Sequence, residues 1–198
     1  MSINLQKGQK IDLTKGNNSL KGVMVGLGWD DATPQGGGFL GMFKGATHDF
    51  DCDASAILCD ANGKFKDIVY YGALTHPSRA IIHQGDNLTG AGAGDDEQIF
   101  VDLPSVPADI HKIVFVVNIY DANVRNQHFG MINNAFIRLV DRSNGAELCR
   151  FNLSENYHGM TGLVVGELYR HQGEWKFNAI GQPVQNASRV DALVNMYR

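Results

Sequence analysis

The sequence predicts a mainly all-β protein, a β-sandwich of two antiparallel sheets with a short C-terminal helix. Three observations predict it. Glycine is abundant at 23 residues and proline scarce at 5, and the glycines fall between short runs of Val, Ile, Phe and Tyr, as in a chain of strands and tight turns. Several of those runs alternate or are wholly apolar, the patterns of half-buried and fully buried strands. Only the last 12 residues carry a firm helical period.

Each element follows in order. "INLQKG" at 3–8 and "IDLTKG" at 11–16 are two copies of a strand and turn, too few for a solenoid. "KGVMVGLGW" at 21–29 predicts a buried strand. "DFDCDASAILCD" at 49–60 alternates, with Asp49, Asp51, Asp53 and Ser55 on one side and Phe50, Cys52, Ala54 and Ala56 on the other. Asn62-Gly63 then predicts a type I′ hairpin turn into the return strand "FKDIVYYG". "KIVFVVNIY" at 112–120 predicts a central strand covered on both faces. Hairpins follow around Asn144-Gly145 and near Gly173, and 122–134 reads as a loop with a helical turn. In "ASRVDALVNMYR", Val190, Leu193, Val194 and Tyr197 fall on one helical face, and Ser188 with Asp191 predicts a capping box.

The 198 residues, 43% of them hydrophobic, suit a single domain over 1–198 with a real core. A net charge of −4 excludes a general nucleic-acid binder, which needs a basic face. "MSINLQKGQKID" has no apolar run, so a cytoplasmic protein is expected. Cys52, Cys59 and Cys149 are odd in number and lack CxxC spacing, which predicts reduced thiols in the core.

The chemistry is concentrated in acids. "GDNLTGAGAGDDEQI" at 85–99 carries Asp86, Asp95, Asp96 and Glu97 among four glycines, and no Lys or Arg occurs between Arg79 and Lys112. Asp30 after "GLGW" and the "DFDCD" strand form a second acidic segment. Strand residues i and i+2 project to one side about 6.6 Å apart. At an effective dielectric near 20, two unit charges ~4 Å apart cost on the order of 4 kcal/mol. Several such pairs would strain a domain of ~5–15 kcal/mol net stability, so a bound cation is expected. Carboxylates, the Asn87 amide, the Thr89 hydroxyl and glycine carbonyls make an all-oxygen set, which suits Ca²⁺ ahead of Mg²⁺. Zinc would call for His or Cys in a paired motif, and there is none. Asp49, Asp51, Asp53 and Asp60 fall on EF-hand positions, but Ala54 stands where that loop needs glycine and the alternation is that of a strand.

"LQKGQKIDLTKG", "VGLGWD", "DFDCDAS", "GDNLTGAGAGDDEQI" and "GELYRHQGEWKFNAIGQ" together resemble the TerD family of tellurium-resistance and general-stress proteins, over nearly the whole chain. The resemblance implies a Ca²⁺-binding β-sandwich and a role in resistance to tellurite and other stresses, and with catalytic motifs missing a non-enzymatic interaction module is the favoured reading. It implies sister proteins of the stress operon, and a membrane-associated complex, as partners. By it the metal residues are Asp30, Asp51, Asp53, Asp86, Asn87, Asp95, Asp96 and Glu97, enough donors for two ions, with Asp49 just outside the motif. "PQGGGFLGMFKGATH" at 34–48 lengthens the connection between the two motifs, a glycine-rich flap whose Phe39, Leu40, Met42 and Phe43 either tuck onto the sandwich or meet a partner.

Catalytic motifs are missing: the chain has no GxSxG elbow, no P-loop and no complete dinucleotide fingerprint. His83 reads as an ordinary polar or surface histidine, and Trp29 and Trp175 as core. Two other functions compete with the interaction module. One is a calcium-dependent, lectin-like ligand binder, and the other is a Mg²⁺- or Mn²⁺-dependent hydrolase built on the acids.

Overall fold

The structure is a computed structural model that describes residues 2–31, 50–85, 94–153 and 155–198, without the side chains of Asp30 and Asp31. The strands are β1 (Ile3–Leu5), β2 (Lys10–Asp12), β3 (Gly22–Asp31), β4 (Cys52–Cys59), β5 (Phe65–Val69), β6 (Ile81–His83), β7 (Glu97–Asp102), β8 (Lys112–Ile119), β9 (Ile132–Asp141), β10 (Glu147–Asn152), β11 (Gly162–His171) and β12 (Glu174–Val184). They form two six-stranded sheets, ordered β1-β10-β9-β3-β7-β6 and β2-β12-β11-β8-β4-β5. The expected sandwich is present. Among the described pairings one departs from antiparallel: β1 runs parallel to β10. The main core lies between the sheets. A second cluster, with Ile57, Val114, Val116 and Val164, lies on the outer face of the second sheet under helix α2 (Val190–Val194).

This second cluster explains β4 and β8. Cys52, Ala54, Ala56 and Leu58 point into the main core, and Ile57 and Cys59 into the outer cluster. Alternation therefore puts Asp53 and Ser55 on the outer face, and both are buried there too. In β8, Val114 and Val116 share that face with Asn118, which stands directly across from Asp53. All three cysteines are free and buried, and burial pushes the Cys59 thiol up to about 11 and the Cys149 thiol up to about 12.

Three local expectations fare differently. Gly63 has φ +76°, but Asn62 is not in the left-handed region, so the β4–β5 turn is not type I′. Instead Asp60 Oδ1 accepts from the amides of Asn62 and Lys64, and a bulge falls at Leu58/Cys59. The two-residue type I′ geometry occurs at Gln172 (φ 53°) and Gly173 (φ 82°), between His171 and Glu174. The C-terminal helix starts later than its capping box requires. Arg189 is the N-cap and its guanidinium, which only donates, makes no cap bond; just before it, Thr161 Oγ1 accepts the Ala187 amide at 2.8 Å. The segment 122–134 holds α1 (Ala122–Arg125) and a 3₁₀ turn at Phe129–Met131, as expected.

The register gathers the chemistry at one end. The C-terminal end of β3, the starts of β4, β7, β9 and β11, and the ends of β6, β8 and β12 all lie there.

Candidate metal centre

β4 brings in Asp51 and Asp53. The Asp51 carbonyl accepts the Tyr120 amide at 2.7 Å, which ties the start of β4 to the end of β8. Its carboxylate Oδ2 lies 3.4 Å from Arg125 Nη2. Asp53 is only 3% exposed, and its Oδ2 accepts from Asn118 Nδ2 at 3.2 Å.

β7 and the residues before it bring in Asp95, Asp96 and Glu97, each held differently. Asp95 lies across Gly26 of β3, and both its oxygens accept from Arg138 of β9, at 2.7 Å from Nε and 2.9 Å from Nη2. The hydrogen bond to Asp95 in turn raises the Arg138 pKa. Asp96 pairs at both ends with β3: its amide donates to the Leu27 carbonyl at 2.8 Å, and its Oδ2 accepts the Trp29 amide at 2.8 Å. Glu97 points inward with Ile99 and Val101.

The Glu97 carboxylate closes an open strand edge. β5 pairs with β4 only as far back as Ala56, so the Ala54 amide and carbonyl face away from β8 with no strand beside them among the described residues. Glu97 Oε2 accepts that amide at 2.6 Å, and His83 Nε2 lies 3.2 Å from that carbonyl. The Gly85 amide donates to His83 Nδ1 at 3.1 Å, so the ring proton sits on Nε2, where it faces Ala54 O and, at 3.4 Å, Glu97 Oε2. A Glu–His clip from one sheet thus replaces the missing strand of the other. Of the polar or surface histidine expected, the structure shows a buried polar one.

Of the sequence-predicted donors, Asp51, Asp53, Asp95, Asp96 and Glu97 converge on this end. The Asp30 side chain, Asp86, Asn87, Asp49 and the 34–48 flap lie outside the described residues. Among the described residues, no three His, Cys, Asp or Glu side chains meet at one point suited to a metal. The sequence also missed cations. Arg138 and Arg125 are distant along the chain, and strand pairing delivers them to Asp95 and Asp51. It missed two buried oxygens as well: Asn118 Oδ1 and Ser55 Oγ have no hydrogen-bond partner among the described residues. The signal for Asn118 was present, since it is the one polar residue inside the apolar run 113–120 apart from the terminal Tyr120. The donor set is hard oxygen throughout, and these orphaned oxygens beside a buried carboxylate fit Ca²⁺.

The fold and this end define a class: a two-sheet sandwich that gathers acidic loops and strand ends at one pole. The chain belongs to the TerD family, whose TerD domain matches residues 1–197. It is 50% identical over 200 residues to stress response protein SCP2 of Bacillus subtilis (strain 168), covering 100% of each chain. It is 45% identical over 185 residues to tellurium resistance protein TerD of Serratia marcescens, covering 92% of this chain and 91% of that one. A solved structure of a homologue of telluride resistance protein (TerD) from Streptomyces coelicolor A3(2) superposes with a TM-score of 0.62 at 20% identity, covering 84% of this chain and 92% of that chain, a likeness of fold. Among the described residues, no helix is long and apolar enough to cross a membrane.

Proposed function

We propose that this protein is a calcium-binding stress-response module that acts without catalysis, through metal-dependent contacts with other proteins in the cytoplasm. One observation carries the reading: the two acidic segments, far apart in sequence, are brought to the same pole, with Asp53 and Glu97 fully enclosed there. Enclosed carboxylates in a domain of ordinary stability call for a counter-charge. Arg138 and Arg125 supply part of it, to Asp95 and Asp51.

The candidate ligands are Asp30, Asp51, Asp53, Asp86, Asn87, Asp96 and Glu97. In this reading Asp95 serves the stem of the acidic loop, because both its oxygens accept from Arg138. Bound Ca²⁺ would supply positive charge between segments that otherwise repel. Asp96 holds the stem against β3, and Glu97 with His83 holds it against β4. The pole is thereby preorganised for contact with sister stress proteins or a membrane-associated complex. The names of the relatives in Bacillus and Serratia support the stress and tellurium-resistance context.

Calorimetric titration of chelator-stripped protein with Ca²⁺ and then Mg²⁺ tests the reading. Binding should appear with Ca²⁺, more weakly with Mg²⁺, and should fall in Asp53→Ala and Asp96→Ala. Unchanged heats in both variants would remove the assignment.

A further inference from the structure

We propose that Asn118, with Ser55 beside it, forms with Asp53 a distinct cation site on the outer face of the β4–β8 pair; this rests on the calcium reading above and adds ligands to it. Asn118 is 1% exposed and stands across from Asp53 in register. Its amide Nδ2 donates to Asp53 Oδ2 at 3.2 Å, while its Oδ1 has no partner among the described residues. Ser55 follows Asp53 on the same face, is equally buried, and its Oγ also lacks a described partner. The surrounding face is aliphatic, with Ile57, Val114 and Val116.

Such a pair of orphaned oxygens is expensive. Each buried, unsatisfied polar atom costs about 1–3 kcal/mol, whereas valine or leucine in those positions would extend the aliphatic cluster. The arrangement makes sense if something fills the acceptors. The Asn118 oxygen and the Asp53 carboxylate are both acceptors, so the occupant is a cation and not an anion. Carboxylate, amide carbonyl and hydroxyl are hard donors, the ligand types of Ca²⁺, which completes its ~6–8 oxygens with water where protein falls short. Room exists. A cavity of about 200 Å³ reaches Asp53 and Asn118 from the surface, with Tyr70, Tyr71 and Tyr120 along its wall. Two arginines at its exposed rim have partners of their own: Arg189 binds Asp121 at 3.2 Å, and Arg198 binds Asn195 at 3.0 Å.

The site is separate from the Asp96–Glu97 stem. Glu97 reaches β4 from the inter-sheet side, at the Ala54 amide, while Asp53 projects from the opposite face. Two carboxylates approaching one strand from different sides hold different ions.

The test compares wild type, Asn118→Leu and Asp96→Ala by Ca²⁺ calorimetry and by melting with chelator and with Ca²⁺. Asn118→Leu removes the orphaned Oδ1 and also the Nδ2 bond to Asp53, so its melting temperature in chelator should fall and the deciding readout is Ca²⁺ uptake. Its affinity for one ion should fall at least roughly tenfold, equivalent to about 1.4 kcal/mol, with the event lost in Asp96→Ala left intact. A merely structural Asn118 would leave both Ca²⁺ binding events unchanged in affinity, which overturns the proposal. Asn118→Asp covers the case in which leucine is not accommodated. It keeps the oxygens and adds charge, so it should melt lower than wild type in chelator and gain more on adding Ca²⁺; an equal gain overturns the proposal. If wild type takes up no Ca²⁺, the calcium reading itself falls. If Asp96→Ala loses an ion and the Asn118 variants lose none, only the outer-face site falls.

Discussion

Gly26 shows how one residue decides where an acid sits. A Cβ built on it would lie 2.3 Å from Asp95 Cγ, so the carboxylate can lie over β3 only because that position has no side chain. Gly26→Ala should push Asp95 off Arg138 and destabilise the protein by about 1–3 kcal/mol. Gly22→Ala, whose Cβ would meet nothing nearer than 3.5 Å, is the control in a urea titration. Equal midpoints for the two variants would refute the contact. Asp141 makes a different residue-scale case. The Ser143 hydroxyl donates to its Oδ1 at 2.7 Å and the Ser143 amide at 2.8 Å, and Asn144 Nδ2 reaches Oδ2 at 3.2 Å. Those bonds from Ser143, then Asn144, hold its pKa below the ordinary aspartate value against the opposing effect of burial. The carboxylate therefore stabilises the fold fully above the unfolded pKa of about 3.9, and the gain disappears as pH falls through the lower folded pKa. The stability gap between wild type and Asp141→Asn should be constant from neutral pH to about pH 5 and shrink in stronger acid. A gap that widened on acidification would contradict the assignment. At this scale the sequence revealed donors but not their partners. Asp95 was visible as an acid, and Arg138 became its neighbour only through the pairing of β3 with β9.

The elements were legible where burial imposed a period. β3, β4, β8 and the β9–β10 and β11–β12 hairpins all follow runs whose apolar pattern is strong. β6 and β7 were hidden, because β6 has three residues and β7 begins on Glu97, inside what reads as an acidic loop. The acid sits within the strand because it has a structural task there, accepting the Ala54 amide across the gap left by short β5. Turn chemistry was legible as a turn but not as a type: Asp60 and Asp141 rebuild their Asn-Gly hairpins with side-chain bonds that dipeptide preference does not include. The clip yields its own prediction. Glu97→Ala leaves the Ala54 amide and the His83 ring without that carboxylate, a loss on the order of 2–3 kcal/mol. Glu97→Gln keeps an acceptor oxygen and should lose less. Amide hydrogen exchange at Ala54 should accelerate in the alanine variant, and unaltered protection there would show that Glu97 does not close the edge.

For the whole molecule, the sandwich joins two sheets through a large core that reaches the acidic pole with Trp29, Phe50 and Phe129, and polar contacts add to it there. The Asp96–β3 bonds, the Glu97–His83 clip and the Arg138 pair hold the stem, while the carboxylates of Asp51 and Asp53 stand on the other sheet. Calcium bound only by the folded pole would stabilise the molecule as a whole, so its effect belongs to global unfolding and not to one strand. A ligand at ~100 times its Kd that binds only the folded state adds about 2.7 kcal/mol. For a chain of roughly 150–250 residues each kcal/mol moves Tm by about 2–4 °C, so saturating Ca²⁺ should raise Tm by roughly 5–10 °C over the chelator-treated protein. Screening alone cannot produce this, because salt acts mainly on exposed charges and Asp53 and Glu97 are enclosed. Scanning calorimetry with Ca²⁺, with Mg²⁺ and with sodium chloride of matched ionic strength separates the two causes. A shift seen with Ca²⁺, reduced with Mg²⁺ and nearly absent with sodium chloride identifies a site; equal shifts in all three would reduce the acidic pole to a diffuse charge effect, and the metal would leave the account of this fold.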